Sequence, residues 1–317
     1  MLSYFKFTEE GFIASERGDA TFINVENPDP GEINQISNDF SIPLLFLADP
    51  LDPRERPRIE KENQATLFII RVSNECFPVI ASEYCPQSQL ATFNTIPLGI
   101  ILVDNKVITI CRNIGLVLEL LGRITRKPRP HSRLNLIFKI LMESSTDFIH
   151  HLERLEELTD RAELTLSQAQ QNEEIMTLLA IDKTLIHFTV AIKSNRGIME
   201  KLMDNSYFSL TPDELSILER ALTENQQAIF MADTFSQILG SMGDAFGTII
   251  SNNLNKVVKF LTGITIIIML PSVIVGAYGM NVALPLEKQP LAFWIIVIVC
   301  LLSCSLLWIF FSRKKWV

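Results

Sequence analysis

Two charge-free apolar runs near the C-terminal end, Phe260–Ala277 and Leu291–Phe311, constrain this 317-residue chain more than any other feature. At a rise of about 1.5 Å per residue, each run crosses a hydrocarbon core of roughly 30 Å as a helix. The segment between them is short and opens on Gly279-Met280-Asn281. The pair therefore forms a hairpin with both outer ends on one side of the bilayer. About 250 residues of soluble character precede it, so the chain reads as a large extramembrane part on a two-helix membrane base. Such a hairpin is either a plain anchor or one wall of a pore.

Charge separates the two parts. The chain holds 28 basic and 36 acidic residues, a net charge of −8. From Ser251 onward Lys256, Lys259, Lys288, Arg313, Lys314 and Lys315 face the single acid Glu287, which leaves −13 on the first 250 residues. An acidic domain is a poor partner for nucleic acid and a good accumulator of cations, although ordinary solubility charge has the same sign. Lys256 and Lys259 precede the first run and Arg313-Lys314-Lys315 closes the second. The positive-inside rule then puts both ends in the cytoplasm and Asn281–Pro290 outside. Trp294, Trp308 and Trp316 suit interfacial anchoring. The first residues lack the apolar stretch of a signal peptide, so none is expected. The cysteines (76, 85, 111, 300 and 304) show no CxxC and no His at metal spacing, and Cys300 and Cys304 read as packing residues.

Residues 1–125 read as mixed α/β. Thr21–Val25, Thr66–Ile70, Gly99–Val103 and Lys106–Ile110 are β-branched runs of strand length, and Asp104-Asn105 is a hairpin turn between the last two. Asn27-Pro28-Asp29-Pro30 leads into a helix near Gly31–Phe40, and Pro50–Pro57 is a proline-broken loop. No phosphate loop, nucleophile elbow or Ser/His/Asp arrangement is present, and His150 and His151 point about 100° apart on a helix. An enzyme is therefore not expected.

Residues 126–210 read as helical. Leu134, Phe138, Leu141, Ser145, Phe148, Leu152, Leu155, Leu158 and Ala162 form one stripe. A second helix, about Asn172–Leu202, is expected to pack through Ile175, Leu178, Leu179, Asp182, Leu185, Ile186 and Thr189. Thr211-Pro212-Asp213-Glu214 is a capping box with proline at the first helical position. With no further proline before Pro271, one helix can run from Pro212 to about Tyr278, roughly 100 Å. A helix that long needs neighbours, which argues for a homo-oligomer.

Within that helix Asn255, Val258, Leu261 (or Thr262), Thr265, Met269, Ser272 and Gly276 recur at steps of three and four. This seam suits a narrow channel with a dewetting constriction, and it equally suits small-residue helix packing.

Val275-Gly276-Ala277-Tyr278-Gly279-Met280-Asn281, followed by a short loop, a final span and Lys314-Lys315-Trp316, resembles the signature of the CorA-type magnesium and cobalt transporters. The residue-level match covers about Ser251–Asn281 and the tail, and the outline covers the whole chain. The resemblance implies an α/β cytosolic domain, a long α-helical stalk and two C-terminal transmembrane helices, assembled as a homopentameric, CorA-like funnel. The corresponding division is α/β domain 1–125, helical region 126–210, stalk and first span 211–278, external loop 279–290, second span 291–312 and basic tail 313–317. It implies a divalent cation channel in a bacterial-type plasma (inner) membrane, with cytoplasmic termini, that imports Mg²⁺ and with it Co²⁺ or Ni²⁺.

By position, Gly279, Met280 and Asn281 would form the selectivity filter, Asn255 an inner amide ring, and Val258 and Leu261 the constriction. Met269, Ser272 and Gly276, with Thr265, would line the path. Glu287 is displaced by one position from the family's external acid, and Leu270 intervenes between Met269 and Pro271. Mg²⁺ would be both cargo and regulator, held by interfacial acids such as Glu219, Glu224 and Asp244, with no organic cofactor. Partners are other copies of the chain, the bilayer and divalent cations, not nucleic acid. The alternatives are a Zn²⁺ transporter of the same superfamily, against which the intact Met280 argues, and a membrane-anchored scaffold.

Overall fold

The computed structural model describes residues 1–8, 11–75, 93–125, 132–169, 172–204, 207–280, 285, 290–314 and 316. Among these the strands are β1 Leu2–Thr8, β2 Gly11–Ala14, β3 Phe22–Glu26, β4 Arg58–Glu62, β5 Ala65–Glu75, β6 Phe93–Val103 and β7 Lys106–Cys111. The helices are α1 Pro30–Phe40, α2 Leu44–Ala48, α3 Leu116–Thr125, α4 Arg133–Ala169, α5 Asn172–Met203, α6 Pro212–Tyr278 and α7 Ala292–Arg313. The chain divides into two compact units, Met1–Leu239 and Gly240–Val317, and α6 passes through the division.

In the first unit the strands make one sheet in the order β2-β1-β3-β7-β6-β5-β4. Every pairing is antiparallel except β3 with β7. Each strand alternates its side chains between two covered faces. Ile23, Val25, Leu67, Ile69, Ile101, Val103, Ile108 and Ile110 pack under α1 and α2. Phe22, Phe68, Ile70, Val72, Leu98, Ile100 and Val107 pack under α3, α4, the end of α5 and the start of α6. Burial on both faces is why the central strands are β-branched runs.

The turns follow the sequence chemistry. Asp104 between β6 and β7 and Asn63 between β4 and β5 sit at φ 47° and 54°, a region Asp and Asn tolerate. α1 begins with the Asp29 capping box, in which Asp29 and Glu32 bond each other's backbone N–H.

Beyond the sheet, α4, α5 and α6 share a second core of Phe148, Leu152, Leu155, Leu185, Phe188, Ile192, Ala228, Ala232, Phe235 and Leu239. The α4 stripe from Leu134 to Leu158 lies where the spacing places it, and the side chain of Ala162 lies outside the described ones. On α5 the expected stripe is displaced, because Leu179 and Ile186 are 57% and 54% exposed. That helix meets α4, the sheet and α6, and its packed side is Ile181, Leu185, Phe188, Ile192, Met199 and Leu202. Asn195 on the same side pairs its amide with the backbone N–H and C=O of Arg71 on β5, beyond the end of β4.

Candidate ion pathway

α6 begins where the sequence places it. Glu214 accepts from the Thr211 backbone N–H at 3.0 Å, and the Thr211 hydroxyl accepts from the Glu214 N–H at 3.3 Å. The same carboxylate takes a hydrogen bond from Ser132, whose hydroxyl also accepts from the Asn135 N–H at 3.1 Å at the start of α4. One carboxylate thus fastens the N-termini of the two longest helices, at the positive end of both dipoles. Burial alone would raise its pKa, but the donors from Ser132 and Thr211 outweigh that and lower it.

A second polar tie holds α3, α4 and β5. Asp147 accepts from Ser73 and Arg123 and lies 3.5 Å from His151 Nε2. Burial again acts to raise the carboxyl pKa, and the donors His151, Ser73 and Arg123 together hold it well below the usual carboxylate range. These residues are scattered through the sequence, so no local motif announced them. Further along, Asn225 of α6 is fully buried and donates to the Ser145 hydroxyl of α4 at 3.4 Å, a polar contact between the two helices.

The second unit contains the membrane part of α6 and all of α7, which among the described residues are the two helices long and apolar enough to cross a bilayer. Asn255, Val258, Leu261, Thr265, Met269, Ser272 and Gly276 are all exposed. Val258, Leu261 and Met269 keep 51%, 63% and 62% of their surface. The half-buried positions are Ile264, Ile267, Pro271 and Ile274, with Gly263 buried. This is the face met by α7, since Cys304 Sγ lies 3.6 Å from the Ile267 carbonyl. At about 100° per residue the two faces are roughly 150° apart. Helix pairing within one chain therefore leaves the seam uncovered.

The hydroxyls of the seam are oriented by the backbone. Thr265 donates to the Leu261 carbonyl at 2.7 Å, Ser272 to Ile268 at 2.9 Å, and the neighbouring Thr262 to Val258 at 2.7 Å. With the proton committed to the i−4 carbonyl, each oxygen presents lone pairs away from the helix. Cations and the outward hydrogens of their hydration shells favour acceptors of this kind.

α6 stops at Tyr278, and Gly279 N–H bonds Val275 O at 3.0 Å and Gly276 O at 3.2 Å. Met280 follows exposed, and Tyr278 Oη donates to Pro285 O at 3.3 Å across the loop. Asn281, expected as part of the filter, and the expected external acid Glu287 lie outside the described residues, as do Cys76, Cys85, His131 and Lys315. On the stalk, Glu219 and Asp244 are exposed and Glu224 is half-buried. Among the described residues no group of three or more His, Cys, Asp or Glu is arranged to hold a metal ion within one chain. At the other end of the membrane unit, Trp316 stacks on Phe311 at 5.5 Å and its backbone N–H bonds Phe311 O at 3.0 Å.

Residues 17–314 match the family model described as CorA-like Mg²⁺ transporter protein. The cobalt/magnesium transport protein CorA of Methanocaldococcus jannaschii is 27% identical over 305 residues, spanning 93% of this chain and 91% of the relative. The complete structure of the CorA magnesium transporter from the same organism superposes with a TM-score of 0.83 at 24% identity, covering 100% of this chain and 99% of that one. The cytoplasmic domain of ZntB from Vibrio parahaemolyticus shares the fold of the soluble part, with a TM-score of 0.60 at 13% identity, over 79% of this chain and 98% of that one.

Proposed function

The chain belongs to the CorA-like Mg²⁺ transporter family, which places it among divalent cation transporters rather than enzymes, and from that premise we propose a homopentameric channel that imports Mg²⁺, with Co²⁺ or Ni²⁺ as further cargo. The supporting observation is the uncovered seam, whose exposed residues run from Asn255 to Gly276 on the side of α6 turned away from α7. Five copies placed seam to seam around an axis bury what one chain leaves bare.

The roles follow from the chemistry. The C-terminal end of α6 carries the negative end of its dipole, so five such ends favour a cation at the outer mouth. There the amide of Asn281 and the backbone of Gly279 hold the ion through its water shell, because Mg²⁺ gives up water reluctantly. Ser272 and Thr265 offer hydroxyl lone pairs along the path, and Met269 and Gly276 complete its wall. Val258 and Leu261 close it by dewetting, and Asn255 forms the cytosolic amide ring. Both termini are cytoplasmic, and the membrane is the plasma (inner) membrane. Glu219, Glu224 and Asp244 meet across subunits, where a divalent ion relieves their repulsion and favours the closed arrangement.

The experiment is flux. Purified chain in sealed liposomes passes Mg²⁺, hexaamminecobalt blocks it as a mimic of the hydrated ion, and Asn281→Ala abolishes selective passage while the oligomer persists. A hairpin serving only as a tether predicts no flux and no effect of that substitution. A Zn²⁺ carrier predicts Zn²⁺ uptake that follows a pH gradient.

A further inference from the structure

Pro271 stands within the apolar stretch of α6, and the helix runs on through it. In an α-helix the N–H of residue 271 bonds the carbonyl of residue 267. Proline has no N–H, so the Ile267 carbonyl loses its helical partner. In hydrocarbon no water replaces it, and an unmet carbonyl there is costly.

The replacement comes from the other helix. Cys304 on α7 places its Sγ 3.6 Å from Ile267 O, a distance suited to a thiol donor. Its neighbours behave otherwise, since Ser303 and Ser305 donate to carbonyls of their own helix, Cys300 and Leu301. Cys304, Ile267 and Pro271 are all half-buried.

We propose that Cys304 is a positioning residue for the pore helix, its thiol S–H replacing the backbone hydrogen bond that Pro271 removes. The bond fixes α6 at Ile267, in the turn from 267 to 271 that the proline leaves weakest and that carries Met269. Loss of the donor loosens that point and shifts the balance between closed and open pores. This functional part rests on the channel reading, whereas the bond itself does not.

The test uses the full chain in detergent and in liposomes, with Cys304→Val (no donor), Cys304→Ser (donor kept) and Cys304→Ala. Each is made in the parent and in Pro271→Ala, which restores the amide N–H and makes the thiol redundant. In the infrared, the S–H band lost in Cys304→Ala sits at the lower wavenumber of a bonded thiol, and it moves to the free position in Pro271→Ala. Cys304→Val lowers the parent Tm by about 2 °C, Cys304→Ser restores it, and neither change alters the Pro271→Ala protein.

At fixed internal Mg²⁺, Cys304→Val changes parent flux by about threefold, as expected for one interhelical hydrogen bond in a membrane. That change is absent in Pro271→Ala. A free-thiol band in the parent, or an equal Tm loss from Cys304→Val in both backgrounds, overturns the bond. A bonded thiol with flux unmoved by Cys304→Val overturns the positioning role. The flux of the parent chain itself tests the channel reading separately.

Discussion

Leu261→Ser should hold the pore open under conditions that close the parent. Leu261 keeps 63% of its surface exposed in the single chain and Val258 keeps 51%, so closure of a ring buries area now facing nothing. Full burial of a leucine side chain is worth about 1.5–3 kcal/mol. If the closed ring buries about half of the exposed share, each subunit contributes about 0.5–1 kcal/mol and five contribute about 2.5–5 kcal/mol. Serine removes that contribution and keeps the constriction wet. At about 1.4 kcal/mol per tenfold, the closed-to-open ratio falls by about two to four orders of magnitude.

The assay is Mg²⁺ flux from liposomes loaded with millimolar Mg²⁺, with Tm and oligomer mass confirming that the variant is folded and assembled. Flux that stays at the parent level in an intact Leu261→Ser pentamer refutes the gate at this ring, and Met269 becomes the next position to replace.

Native mass spectrometry in detergent should give a pentamer, and a monomer or dimer at every concentration would contradict the assembly. Glu219→Ala with Glu224→Ala should weaken inhibition by internal Mg²⁺ without changing ion preference; full inhibition in the double variant moves the sensor to other acids. Asp147 and Glu214 both have lowered native pKa values. Their stabilisation is therefore complete above the unfolded carboxylate value of about 4 and is lost as pH falls through the native one. Acid titration of Tm should show a loss beginning near pH 4, and Asp147→Asn should flatten it; an unchanged acid limb in that variant counts against the tie among Ser73, Arg123 and Asp147.

The parts of the fold legible in sequence are those where burial writes a local pattern. β3, β5, β6 and β7 lie inside the sheet and read as β-branched runs because both faces are covered. β2 and β4 are its two edges and β1 is only half-buried between β2 and β3, so none of the three reads as such a run. β4 reads Arg-Ile-Glu-Lys-Glu, the charged composition that keeps an open edge from pairing with another sheet. The capping box of α6 could be read because its partners are three residues apart. Ser132, which shares Glu214, comes 82 residues earlier, and Ser73 and Asp147 are separated by 74. Contacts at such distances leave no spacing to read in a single chain.

The candidate pathway divides along the same line. Periodicity finds residues that share a face of α6, but it cannot rank one face above another. Ile264, Ile267, Pro271 and Ile274 have the same three-and-four spacing as Thr265, Met269, Ser272 and Gly276. A pore wall and a packing face are therefore equal readings of the seam by spacing alone, and the position of α7 on the other side supports the proposed path. The proline adds a reason for that choice. A residue that strips a carbonyl of its partner needs a donor from a neighbouring helix or from water, and lipid supplies neither. Pro271 faces α7, where the Cys304 thiol meets the carbonyl it orphaned. The pairing of α6 with α7 thus uses the defective face of the helix and leaves uncovered the face with intact hydrogen bonds and outward lone pairs, as the proposed path requires.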